Sequence, residues 1–305
     1  MNVINMSKKT SRNIDAFDLP IEVFNTEGDL FKISYRGEEK ILKKLHHQEG
    51  PLFANKLYTL EMLNTFKSYI PEGLIIPDYL VTFSGNIIGF TTPYKNGKTL
   101  VSVLNDNSLA REEQLYYLKK VGKYLEQMEY VRIETPLKDF YFNDLHDSNF
   151  VVDFDKKELY GIDLDSCKIF DNKPFPARYL TPMTLVNGIP KYKIYDITST
   201  SNYYYYSKKE DAVNPFGYMI PDKNTDIYCY IMMILGYLTD SKVNTLTIDK
   251  FYELINKLRK IGYDKELLDV FSTIIIGKDN INPIDYLDTI TNEQINKSRL
   301  LKYLK

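Results

Sequence analysis

The residues best suited to chemistry are Asp144 and Asn149 in "NDLHDSNFVVDF" and the couplet Asp163 and Asp165 in "GIDLDS". An aspartate ahead of a short loop can accept a hydroxyl proton. A carboxylate and an amide oxygen delivered from neighbouring strand ends can hold Mg2+, which prefers hard oxygen ligands. An Asp and an Asn so spaced could equally be a polar turn before a strand. Here they are followed by "FVVDF", a turn at Asp155-Lys156-Lys157, "LYGIDL" and a second acidic pair, which is a more specific combination.

Two upstream residues complete the set. Strand alternation puts Lys43 on one face with Ile41 and Leu45, and a lysine among apolar neighbours needs a partner. Lys40 and Lys44 read as edge lysines that run along the sheet and reach water. Glu61 borders the apolar stripe of the next helix, so it reads either as a solvated helix charge or as the ion-pair partner of Lys43.

These residues need elements to position them. "IEVFNTEGDLFKISYR" reads as strand, turn, strand, because Phe31, Ile33 and Tyr35 alternate with Lys32, Ser34 and Arg36. A turn at Gly37 leads to the strand "EKILKKL". Phe53, Leu57, Leu60, Leu63, Phe66 and Ile70 then keep helical period, and "GLIIPDYLVTF" and "NIIGFTTPY" form a hairpin across Ser-Gly. Residues 20–93 thus predict five antiparallel strands with one helix after the third. The polar linker "KNGKTL" (95–100) divides 1–94 from 95–305.

Beyond the linker the pattern is mainly helical. Leu115, Leu118, Val121, Leu125 and Met128 share one stripe; "YCYIMMILGYL" reads as a buried helix, and further helices are predicted near 249–260, 265–276 and 290–304. Residues 166–221 read as irregular, with the run Tyr203–Tyr206 followed by Ser207. Such a stretch is either a functional segment, for substrate docking or autophosphorylation, or a low-complexity loop.

Composition excludes several classes. Net charge is −2, so there is no global basic excess to attract nucleic acid. Cys167 and Cys229 lie far apart and the three histidines form no metal pattern, which argues against a disulfide framework or a zinc site. The longest apolar run is too short to span a bilayer, and the first residues lack a signal-peptide core. A cytoplasmic protein is expected, with delivery into a host cell by a secretion system leaving no mark at this level.

Taken in order, these parts resemble the protein-kinase-like superfamily across residues 20–285. "KILKKL" resembles the lysine strand, making Lys43 the nucleotide-binding lysine and Glu61 its helix partner. "TTPYKNGKTL" resembles the hinge that binds adenine through backbone groups, at Pro93 and Tyr94, with Ile41 roofing the base. "FNDLHDSN" matches the catalytic loop, with Asp144 as base and Asn149 as a Mg2+ ligand; "IDLD" stands where the principal metal aspartate stands, at Asp163. Asp226 resembles the residue that braces the catalytic loop from the central helix.

The resemblance implies an α+β, two-lobed fold: a small antiparallel-sheet lobe with one helix, and a larger, mainly helical lobe. It implies ATP and Mg2+ as cofactors. There are departures. The glycine-rich loop is reduced to Gly28, and Phe142 and Asn143 replace the usual His-Arg, so activation by loop phosphorylation is not expected. Asp165 replaces a glycine, and would add metal charge or cap a turn. His146 gives the loop a likeness to aminoglycoside- and choline-kinase-like enzymes; it would steady the transferred phosphate or bond its own loop. A Ser/Thr protein kinase with a protein substrate is the first expectation. A small-molecule kinase and a pseudokinase binding module are the alternatives.

Overall fold

The structure is a computed structural model and describes residues 1–6, 15–16, 27–172, 185–186, 189–190, 223–241, 243, 246, 248–276 and 281–301. The chain is a mixed α/β protein, with a sheet and one helix first and most helices later. Strands β1 (Asn2–Met6), β2 (Asp15–Ala16), β3 (Gly28–Tyr35), β4 (Glu38–Leu45), β5 (Tyr79–Phe83) and β6 (Asn86–Pro93) form one sheet in the order β1-β5-β6-β4-β3-β2. Helix α1 (Gly50–Thr65) follows β4.

Two hairpins build the centre of this sheet, and both are specified locally. Arg36 and Gly37 join β3 to β4, and Ser84 and Gly85 join β5 to β6; all four residues have positive φ. Such turns match the natural twist of the flanking strands. Gly28 and Gly89 let β3 and β6 close onto β4 from either side. A Cβ at Gly28 would strike the Lys44 carbonyl oxygen, and one at Gly89 would strike that of Lys43.

The sheet departs from a five-stranded antiparallel one. β1 adds to the edge of β5 in parallel, its Ile4 buried with Leu42 and Val81. The expected strand at 21–24 lies outside the described residues. Lys40 is not an edge lysine: it is buried, and its ammonium meets Asp78 at 2.7 Å and Glu38 at 2.8 Å. The apolar face carrying Leu42 accepts it because Asp78, anchored by the Thr91 hydroxyl at 2.6 Å, supplies the counter-charge.

The second part begins with β7 (Lys98–Thr99), which pairs with the hairpin β8 (Phe150–Asp153) and β9 (Glu158–Gly161). Among the described residues, this part also holds helices α2 (Leu100–Asn105), α3 (Arg111–Glu134), α4 (Lys223–Thr239), α5 (Ile248–Ile261), α6 (Lys265–Ile276) and α7 (Asn292–Arg299), and a two-strand ladder of β10 (Leu185–Val186) and β11 (Ile189–Pro190). The expected α3 stripe is buried in full, and α4 is buried nearly all round. At Gly122 α3 comes close to the Tyr230 ring of α4, whose hydroxyl donates to the Leu118 carbonyl at 2.8 Å. The segment after α1 ties the two parts together: Ile75 N–H donates to Gly161 O at 2.7 Å, and Leu63, Leu74 and Ile76 belong to the large helical core. The Tyr203–Tyr206 run and Ser207 lie outside the described residues. Among the described residues, no helix is long and apolar enough to cross a membrane.

Candidate active site

Helix α4 fixes the loop that carries Asp144. Asp226, in its first turn and buried, accepts the main-chain N–H groups of Phe142 and Asn143, each at 2.8 Å. Asn143 has φ 68°, a conformation asparagine tolerates, and its side-chain N–H reaches Ser166 O at 2.8 Å. The Phe142 ring is buried against Phe150. The loop then closes on itself. Asn149 donates its side-chain N–H to Asp144 O at 2.9 Å, and its main-chain N–H to His146 O at 3.0 Å.

His146 follows the loop-bonded alternative. Its Nδ1 accepts the Ser148 N–H at 3.2 Å, which in a neutral ring leaves the proton on Nε2. Nε2 lies 3.5 Å from Asp144 Oδ2. The ring therefore orients the Asp144 carboxylate, which is about one quarter exposed (26%).

Asp163 is delivered beside this loop because Ile162 N–H donates to Asn149 O at 2.8 Å. Asp163 has φ 63°, a left-handed conformation that costs energy in a non-glycine residue and is found at functional sites. It leads into a short 3-10 turn, Leu164–Ser166, that buries Asp165. Lys43 crosses from β4 to meet both: its Nζ lies 2.9 Å from Asp163 Oδ1 and 3.0 Å from Asp165 Oδ2. Glu27 Oε2 completes its partners at 3.0 Å.

The helix partner is not Glu61. Glu61 is exposed on α1 and absent from the contacts of Lys43. The residue that α1 turns toward the cluster is Lys56, one turn before buried Leu60 and two before buried Leu63. Its Nζ contacts Asp165 Oδ2 at 2.8 Å, Glu27 Oε2 at 2.9 Å and Asp165 O at 3.0 Å. At 100° per residue, Glu61 stands well off this face. Glu27 has no signal in the sequence; for Lys56 the signal is its helical spacing to Leu60 and Leu63.

Electrostatics sort the cluster. Burial alone would lower the Lys43 ammonium, but Asp163, Asp165 and Glu27 outweigh it and hold it well above the usual lysine range. Burial also opposes ionisation of Asp165, yet Lys43 and Lys56 hold its carboxyl well below the usual range. Burial and the adjacent Asp165 charge push Asp163 the other way, up to about 7.

No protein-family model matches this chain, and no curated protein shows a significant match. Asp163 and Asn149 carry hard oxygen atoms of the kind Mg2+ prefers. Asp163 is one-third exposed (33%), and the Asn149 amide nitrogen is committed to Asp144, which turns its oxygen into the available acceptor. Asp165 does not fit as a ligand, because it is 1% exposed and pinned by two lysines. Among the described residues, no group of three His, Cys, Asp or Glu side chains gathers as a metal cluster. Two protein oxygens are still enough for Mg2+, which commonly takes the rest of its ligands from water and substrate phosphates.

The remaining expected positions are placed but only partly suited to their roles. Ile41 pairs with Thr92 in the sheet and is half-buried. Pro93 has no N–H, and the Tyr94 N–H already donates to Glu39 O at 3.1 Å. Neither residue supplies a main-chain donor for an adenine edge. Gly28 pairs with Leu45 inside the sheet, where close strand packing accounts for it.

Proposed function

We propose that the chain is an ATP- and Mg2+-dependent phosphotransferase of the protein-kinase-like superfamily. The observation that carries this reading is the ion pair from Lys43 on β4 to Asp163, beside a loop that presents Asp144 and Asn149 and is anchored by Asp226.

Each residue has work that follows from its position. Lys43, released from Asp163, can orient the phosphates of a nucleotide. Asp163 and the Asn149 amide oxygen would hold Mg2+, which neutralises phosphate charge when bound. Asp144, kept in place by His146 and by its own carbonyl bond to Asn149, aligns the acceptor hydroxyl and takes its proton as the new bond to the γ-phosphorus forms, the bond from that phosphorus to the β–γ bridging oxygen breaks and ADP leaves. Positioning and electrostatics supply most of the catalysis in such a site.

The acceptor we propose is a Ser/Thr hydroxyl of a protein, on the strength of α4 with Asp226 in its first turn and of the length of the segment before it. Incubation with labelled ATP and Mg2+, read by intact mass and by panels of protein and metabolite acceptors, tests both levels. Label on protein that disappears in Asp144→Ala and Asp163→Ala variants supports the reading. Label on a metabolite moves the acceptor to a small molecule. Absence of Mg2+·ATP binding by calorimetry would leave a binding module in place of an enzyme.

A further inference from the structure

We infer that Lys56 is a positioning residue that holds Asp165 out of the metal's coordination sphere, leaving Asp163 and Asn149 as the protein's metal ligands. The inference rests on the phosphotransferase reading and deepens it.

An ammonium has three N–H groups. Those of Lys56 face the carboxylate and the main-chain oxygen of Asp165 and the carboxylate of Glu27, with the Ser166 hydroxyl at 3.4 Å. Two of these contacts are to one residue, so Lys56 fixes the side chain of Asp165 and the turn that bears it. Asp165 Oδ2 also accepts from Lys43. Rotating this carboxylate toward a metal would strip two buried ammonium groups of a partner, which is strongly unfavourable.

Asp163 is placed differently. It is the most exposed of the three carboxylates, and Lys43 is its one lysine partner among the described ion pairs. With all five groups ionised, two ammoniums face three carboxylates, and the excess negative charge is met most easily at the exposed member. If nucleotide phosphates draw Lys43 away, Asp165 keeps Lys56 while Asp163 is freed for the cation. Lys56 thereby gives two aspartates, separated by one residue, different tasks.

The test measures Mn2+ uptake by electron paramagnetic resonance in the presence of a non-hydrolysable ATP analogue, with nucleotide binding in EDTA measured alongside. Asp163→Asn should abolish Mn2+ uptake, and Asp165→Asn should retain it. Lys56→Met should strengthen it about tenfold, because the variant loses a positive charge beside the cation and releases the Asp165 carboxylate. Lys56→Arg, which keeps the charge, should stay near wild type, and metal-free nucleotide binding should be unchanged in both. Equal loss in Asp163→Asn and Asp165→Asn, or wild-type uptake in Lys56→Met, overturns the inference alone. Should Lys56→Met fail to fold, the two aspartate variants and Lys56→Arg decide the matter. A wild-type protein that takes up no Mn2+ with nucleotide overturns the phosphotransferase reading and this inference with it.

Discussion

Asn149 spends its side-chain N–H on the main-chain oxygen of Asp144, 2.9 Å away, so the proposed base and the proposed metal ligand are held in one loop by a single bond. Asn149→Leu removes both the bond and the amide oxygen. Phosphate transfer should fall at least about a hundredfold, in line with loss of a transition-state contact. The fold should lose about 1 kcal/mol, read by urea denaturation. Transfer within a few-fold of wild type would remove Asn149 from the site.

Asp226 should matter most for folding. Asp226→Ala leaves two buried main-chain N–H groups without an acceptor, at about 1–3 kcal/mol each. Chemical denaturation should show the midpoint falling sharply, and Asp226→Asn, with one amide oxygen, should lie between. A change under about 0.5 kcal/mol, typical of an uninvolved surface site, would contradict the bracing role.

Glu61→Ala separates the structure from the family resemblance. An exposed residue outside the Lys43 cluster should change stability by no more than about 0.5 kcal/mol and leave nucleotide affinity unaltered. A large loss of affinity would mean that Glu61 reaches Lys43 in the working state.

Lys40→Met should destabilise the protein by about 1–2 kcal/mol, because Asp78 loses its counter-charge. The double variant Lys40→Met/Asp78→Leu should regain part of this. Neither residue touches the proposed site, so nucleotide binding by the folded fraction should be unchanged.

The raised Asp163 carboxyl has a defined pH signature. Its folded pKa, about 7, exceeds the ordinary aspartate value of 3.8, so its contribution to stability is fully present below about pH 4 and is lost as pH rises through 7. Asp165 and Glu27, both depressed, act in the opposite sense and weaken the fold only in acid. Asp163→Asn should therefore melt higher than wild type at pH 8, with the difference shrinking toward pH 4. A difference that does not vary with pH would refute the assignment.

Much of the layout is legible in the sequence because it is local. The hairpin turns at Gly37 and Ser84-Gly85 need left-handed backbone, and α3 and α4 carry long apolar patterns. Lys43, Asp144, Asn149 and Asp163 can be picked out by order and residue type; the structure pairs Lys43 with Asp163 and bonds Asn149 to Asp144. Glu61 fails for a geometric reason: bordering an apolar stripe leaves a helix residue free to face either way, and one position is 100°. Glu27 carries no local pattern, and its importance comes only from meeting two lysines distant in the chain. Lys40 looks like a surface residue until Asp78 folds under it. β1 has only a weak alternation over Asn2–Met6, and parallel pairing with β5 leaves no turn signal to announce it.

That parallel strand also bears on how the protein reaches its fold without sticking to itself. The β5–β6 hairpin can form from neighbouring residues, but β1 must be gathered from far along the chain, a slow kind of pairing. During the delay β5 offers a bare row of amides and carbonyls to any other molecule at hand, and Val81 and Leu80 give that row an apolar character. Loss of Asn2–Met6 would make the exposure permanent. β1 thus covers the apolar β5 edge and puts Asn2–Met6, with its two asparagines Asn2 and Asn5, at the rim of the sheet in its place.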